Sequence, residues 1–175
     1  MSVARREVLG LGGGLVAVLS LSGRDVWAEE VVEIRMQGRT YGSHAWFDPI
    51  GLLIKPGQMV RWTNTNPGNS HTTTAYHPAN FGRPRRIPER AKSWDSDYLL
   101  PDASFSVTFT EQGVYDYYCV PHELAGMVGR IIVGEPEPHG GWMEAIASGS
   151  GLPDQTLKAF PTVEEIMAKR IVRRV

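Results

Sequence analysis

The stretch Tyr117-Tyr118-Cys119-Val120-Pro121-His122-Glu123-Leu124-Ala125-Gly126-Met127-Val128-Gly129, running on into Arg130-Ile131-Ile132-Val133, reads as a strand, a tight loop and a second strand. Cys119, His122 and Met127 offer a thiolate, an imidazole and a thioether within that one loop. These soft and borderline donors suit copper, and a trigonal site of two His and one Cys with a weak, long axial Met marks an electron-transfer copper centre. The loop supplies three of those four ligands, so a second His must come from elsewhere in the chain.

Working outward, residues 31–37, 47–54, 59–65, 104–110, 114–119 and 127–133 read as β-segments. Lys55-Pro56-Gly57-Gln58 and Glu111-Gln112-Gly113 are turns by composition. Short strands at this spacing, without helical periodicity between them, predict an all-β domain, either an antiparallel sandwich or a small barrel. Residues 72–102 break the pattern: Pro78, Pro84, Pro88 and Pro101 and the lack of any period predict a long excursion over the surface. After Val133 the run Gly134-Glu135-Pro136-Glu137-Pro138-His139-Gly140-Gly141 predicts the end of the sheet and a linker.

The tail carries a capping-box pattern, Thr162-Val163-Glu164-Glu165. Val163, Ile166, Met167 and Ile171 follow at helical spacing, with a basic end at Lys169, Arg170, Arg173 and Arg174. A short amphipathic helix is expected there, docking its apolar stripe on the domain or else meeting a partner or a membrane surface. The chain thus divides into an export signal (1–28), one domain (29–134) and a C-terminal helical extension (135–175).

At 175 residues and 42% hydrophobic content there is room for one real core. Lys+Arg (18) and Asp+Glu (19) nearly cancel, so no global field favours nucleic acid as a partner. In residues 1–28, Arg5-Arg6 precede an apolar, Gly-rich run that ends in Val26-Trp27-Ala28. That is the pattern of a cleavable export signal, resembling the twin-arginine class although Val8 stands where Phe is usual. A periplasmic or otherwise exported protein is expected. Its single Cys has no intramolecular disulfide partner, and copper ligation would keep the thiol out of free-thiol chemistry.

The leading candidate for the fourth ligand is His71, in Asn69-Ser70-His71-Thr72 just after a strand. His44 and His77 lie in the same half of the chain and stay open. Phe47-Asp48-Pro49, Lys55-Pro56-Gly57, Val60-Arg61-Trp62-Thr63-Asn64, His71, Gly113-Val114-Tyr115-Asp116-Tyr117-Tyr118-Cys119 and the Cys-x₂-His-x₄-Met loop together resemble the plastocyanin and pseudoazurin branch of the cupredoxins, over roughly residues 31–134. The resemblance implies a Greek-key β-sandwich binding one type 1 copper through His71, Cys119, His122 and Met127. It implies a soluble blue copper carrier of single electrons, not an enzyme, that works with redox proteins such as a c-type cytochrome or a membrane oxidoreductase. It also implies electron exit through the edge of His122, among the small or apolar residues Val120, Pro121, Leu124, Ala125 and Gly126. Members of the family often carry Asn beside the first His, hydrogen-bonded near the thiolate; here Ser70 and Thr72 flank it.

The remaining features are less specific. His77 reads as a surface residue fixing its own loop, with a cap over the site or a further metal ligand as the alternatives, and His139 as linker. Arg83, Arg85, Arg86, Arg90 and Lys92 read as a solvated loop or as a docking patch for an acidic redox partner. A copper storage or delivery protein would expose loosely held Met and His. A copper-containing subunit of an oxidoreductase would need further His ligands, and no His-x-His pair is present.

Overall fold

The structure, a computed structural model, describes residues 31–39, 44–135 and 151–174. The expected export signal and His139 lie outside them. β1 (Val32–Gly38), β2 (Ala45–Asp48), β4 (Met59–Asn64) and β6 (Ser104–Thr108) form one sheet in the order β2-β1-β4-β6. β3 (Gly51–Ile54), β5 (Thr74–Ala75), β7 (Gly113–Tyr118), β8 (Val128–Val133) and β9 (Ile171–Val172) form the other, in the order β5-β7-β8-β3-β9. Alternating residues drive the packing of the first sheet. Ile34 and Met36 of β1 and Val60 and Trp62 of β4 point inward, while Glu33, Arg35 and Arg61 face water. The result is the expected β-sandwich.

Its pairing is mixed rather than antiparallel throughout, because β1 runs parallel to β4 and β3 parallel to β8. The cause lies in segment 47–54, which reads as one strand in the sequence. Pro49, without an N–H to give a ladder, ends β2, and β3 starts two residues later in the opposite sheet. That switch places β3 beside β8 in the direction in which both strands leave the copper-loop end.

β7 and β8 are buried along their whole length. One face packs on the first sheet, through an aromatic cluster in which Tyr117 lies 4.7 Å from Phe47 and 5.3 Å from Trp62, centroid to centroid. Tyr117 also explains Gly129, its register partner: a Cβ there would sit 2.3 Å from the Tyr117 ring. The other face of these two strands is covered by segments read in the sequence as surface loop and extension.

The excursion is therefore only partly a surface feature. Thr72–Tyr76 are buried, β5 pairs with β7, and Ile87, Trp94 and Leu99 enter the core. Trp94 packs edge-on against Phe109 at 5.4 Å and donates its indole N–H to Thr73 Oγ1 at 3.1 Å. The basic cluster changes meaning accordingly. Arg86 is buried and meets Asp116 of β7, and Arg130 of β8 meets the same carboxylate, with contacts of 2.7–3.0 Å. Arg83 pairs with Glu123. Two of the five cations thus belong to internal networks, and a docking patch made of all five is ruled out.

The C-terminal segment returns to the sandwich. A helix absent from the sequence reading, α1 (Asp154–Ala159), precedes the expected one, α2 (Val163–Lys169), whose N-cap Thr162 accepts the Glu165 N–H at 3.1 Å. Ile166 packs with Ile50, Val114, Ile132 and Val172, so the apolar stripe docks on the sheet. The stripe is shorter than expected: Arg170 adopts φ 64° and ends the helix, and Ile171 joins β9 against β3 with its side chain half exposed. Arg130 Nη1 donates to the Pro161 carbonyl at 2.8 Å, fastening the segment to β8. No helix among the described residues is long and apolar enough to cross a membrane.

Candidate metal centre

The end of β7 delivers Cys119, and the chain then turns through a 3₁₀ helix, Val120–Ala125, into β8. Pro121 suits the first turn because it has no N–H to leave unsatisfied. Gly126 ends the turn in the left-handed region at φ 80°, a conformation open to glycine at little cost. The turn is tied at its base: Cys119 N donates to the Met127 carbonyl at 3.0 Å, and Met127 N donates to the His122 carbonyl at 3.1 Å. Cys119, His122 and Met127 are thereby held by one small hydrogen-bonded unit, and Cys119 and Met127 are fully buried.

His71 enters from the far side. Its backbone bridges Leu99, and Asn64, itself fully buried, donates to the Asn69 and Leu99 carbonyls and accepts the Asn66 N–H. This fixes the short loop that carries His71. His71 Nδ1 then lies 3.2 Å from His122 Nδ1 and 3.6 Å from Cys119 Sγ, and His122 Nδ1 lies 3.4 Å from the same sulfur. Among the described residues, this is the group of His, Cys and carboxylate side chains that converges as a metal site. His44 and His77 stand outside it. His77 Nδ1 accepts the Ala79 N–H at 3.0 Å, so it fixes its own loop.

The donor set fits copper. Burial, and then the neighbouring His122, brings His71 down to about 4, and burial lowers His122 as well. Both imidazoles are neutral at pH 7 and keep a lone pair for a metal. Burial pushes the Cys119 thiol up to about 11, partly offset by hydrogen bonds from Thr72, so copper has to displace a proton to bind the thiolate. A folded-state pKa depressed below the unfolded 6.5 contributes stability that is present above pH 6.5 and is lost as pH falls toward 4. The metal-free protein is expected to lose about 3 kcal/mol from His71 alone over that window. Urea midpoints between pH 7 and 4 measure it.

The Thr72 amide donates to Cys119 Sγ at 3.4 Å, and its hydroxyl accepts the Val120 N–H at 2.9 Å. Thr72 therefore supplies the link between the first His and the thiolate that the missing Asn put in question. Asn66 holds the other side of His71, with Nδ2 3.0 Å from Nε2. A half-turn of the amide presents its oxygen instead, so Asn66 can accept the Nε2 proton that remains when Nδ1 faces a metal. Asn66→Leu is expected to weaken copper binding by about 10–100-fold in a competition titration, and Asn66→Asp, which keeps an acceptor, to retain most of it. Asn66 carried no signal of its own in the sequence, since Asn is common in loops; Asn64 entered only as part of the family resemblance and Thr72 only as the neighbour of His71.

Residues 35–134 match the copper-binding proteins of the plastocyanin/azurin family. The chain belongs to that family. It is 36% identical over 104 residues to plastocyanin of Sambucus nigra, covering 58% of this chain and 99% of that one. With chloroplastic plastocyanin of Tetradesmus obliquus it shares 41% over 88 residues, half of this chain and 57% of the relative's length. The chain thus spans little more than half the length of some of the plastocyanins it matches. Pseudoazurin from Methylobacterium extorquens AM1 shares the fold at 22% identity with a TM-score of 0.57, covering 80% of this chain and 98% of that one. In this cupredoxin copper is the cofactor, and His71, Cys119 and His122 converge as a group that can hold it.

Proposed function

We propose that this cupredoxin is a blue copper protein that holds one type 1 copper through His71, Cys119, His122 and axial Met127 and shuttles single electrons between redox proteins. The observation that carries this reading is the convergence of His71 Nδ1, Cys119 Sγ and His122 Nδ1 within 3.6 Å of one another. Copper supplies the Cu(I)/Cu(II) couple; the chain's part is to hold the donors still and exclude water. Rigid strands on both sides of the loop limit donor movement, which fast transfer needs. Plastocyanin- and pseudoazurin-like cupredoxins are electron carriers rather than enzymes.

His122 is the half-buried member of the set, next to exposed Pro121 and Leu124. A small apolar edge of this kind suits a brief encounter with a c-type cytochrome or a membrane oxidoreductase. Residues 1–28 support a periplasmic or otherwise exported setting. A storage or delivery role would call for donors open to an acceptor, whereas His71, Cys119 and Met127 are fully buried.

Loading the purified protein with Cu(II) tests the reading. An intense thiolate-to-copper band in the visible spectrum and a narrow copper hyperfine splitting in EPR are expected. A colourless or weakly coloured complex would overturn it. Cleavage after Ala28 is checked by the N-terminus of protein recovered from an exporting host.

A further inference from the structure

Glu123 follows the ligand His122 and precedes Leu124, which is 65% exposed, yet Glu123 itself is only 3% exposed. A carboxylate costs several kcal/mol to bury unless its oxygens are paired and hydrogen-bonded. Both oxygens of Glu123 are. Oε1 accepts the Tyr76 hydroxyl at 2.8 Å, and Oε2 pairs with Arg83. Arg83 also lies over the ring of Tyr118, 5.2 Å from its centroid, and Tyr76 stacks on the same ring at 4.4 Å. Tyr118 directly precedes Cys119. The excursion thus grips the ligand loop just after one donor and just before another.

The C-terminal segment closes the loop from its other side. Gln155 Nε2 donates to the Leu124 carbonyl at 2.9 Å, and Arg174 Nη1 to the Gly126 carbonyl at 3.4 Å. Leu152, Leu157, Ala159 and Phe160 pack on the cluster of Tyr76, Tyr118 and Val128. The two parts of the chain outside the β-segment pattern therefore meet at the loop that carries three donors: the excursion holds the Glu123 side chain, and the C-terminal segment holds backbone carbonyls of the same loop.

We propose that Glu123 is a positioning residue for electron transfer. Through Tyr76 and Arg83 it clamps the Val120–Ala125 turn, so that Cys119, His122 and Met127 keep one geometry in both redox states. The proposal rests on the copper-carrier reading. Its physical basis is that a site held about 1 Å too loosely loses much of its rate, because donors that rearrange on oxidation add to the barrier. A loop on the surface, tied only by its own backbone, would fray more easily than the strands on either side.

The full-length protein, its Glu123→Ala, Glu123→Gln and Tyr76→Phe variants, and two readouts test this. One is electron self-exchange, in which one copy loses the electron that another gains, measured by NMR line broadening in mixtures of reduced and oxidised protein. The other is amide hydrogen exchange in the metal-free protein at His122, Gly126 and Met127, whose N–H groups bond within the loop. Glu123→Ala is expected to slow self-exchange about tenfold or more and to speed those amides relative to the strand amides of β7. Tyr76→Phe should move both the same way by less, and Glu123→Gln, whose oxygen can still accept from Arg83 while its amide donates to the Tyr76 hydroxyl oxygen, should stay nearer the parent protein than Glu123→Ala. Wild-type self-exchange and wild-type loop-amide exchange in a Glu123→Ala protein that merely melts earlier would overturn the proposal. Should Glu123→Ala fail to fold, an unchanged rate in Tyr76→Phe would overturn it equally. A parent protein with no blue band would instead sink the copper reading, leaving the metal-free amide result to decide whether the clamp exists.

Discussion

Cys119→Ser protein loaded with Cu(II) is expected to be colourless, with complete loss of the intense visible band and a widened copper hyperfine splitting. Cys119 is the single cysteine of the chain, and no other residue can supply a thiolate. A serine hydroxyl is a harder and far less acidic donor, so the charge-transfer band and the tight binding of Cu(I) go together. His71→Ala should also lose the type 1 spectrum, because its Nδ1 is the donor opposite His122. His77→Ala should keep it, since His77 bonds its own loop and stands outside the donor group. Visible and EPR spectra of the three variants check all of this. A blue Cys119→Ser protein, or a blue His71→Ala protein beside a colourless His77→Ala one, would contradict the ligand assignment.

Asp116→Ala should lower the stability of the protein by about 3–5 kcal/mol, the cost of taking one partner from a buried ionic network. Asp116 is fully buried, and the Arg86 and Arg130 side chains that share it are 1% and 5% exposed. Its removal leaves two desolvated guanidiniums without their common carboxylate. The loss should reach beyond β7, since Arg86 belongs to the excursion and Arg130 holds the Pro161 carbonyl of the C-terminal segment. The guanidinium stack over the Phe160 ring, at 5.0 and 5.5 Å, depends on the same arrangement. Denaturant unfolding of the metal-free protein measures the effect as a shift of midpoint at unchanged slope. A change under about 1 kcal/mol would mean that water or a neighbouring group had replaced the carboxylate.

The second result turns on where the excursion and the C-terminal segment go, and those were the least legible parts of the sequence. The turn, the strands and the Thr162 cap were legible because each depends on residues near one another in the chain. Alternation marked β1 and β4, and a capping box marked the start of α2. Arg83 and Arg86 look like any loop cations until Glu123 and Asp116 are brought to them from distant parts of the chain. Glu123 looks like a solvated loop acid for the same reason. β9 carries no strand signal of its own in two residues; it exists because β3 offers it a free edge.

By itself, then, the sequence determined the chemistry of the centre and the architecture around it. A thiol, an imidazole and a thioether in one loop select copper whatever the rest of the chain does, and the spacing of apolar residues makes strands. Only the tertiary structure decided that His71 rather than His44 or His77 completes the set, that two strand pairs run parallel, and that the excursion and the C-terminal segment converge on the ligand loop. Donor chemistry and strand periodicity are properties of neighbouring residues. The partner of a charge, the direction of a strand pair and the choice among three histidines depend on contacts between residues far apart in sequence, which come into being when the two sheets close on each other.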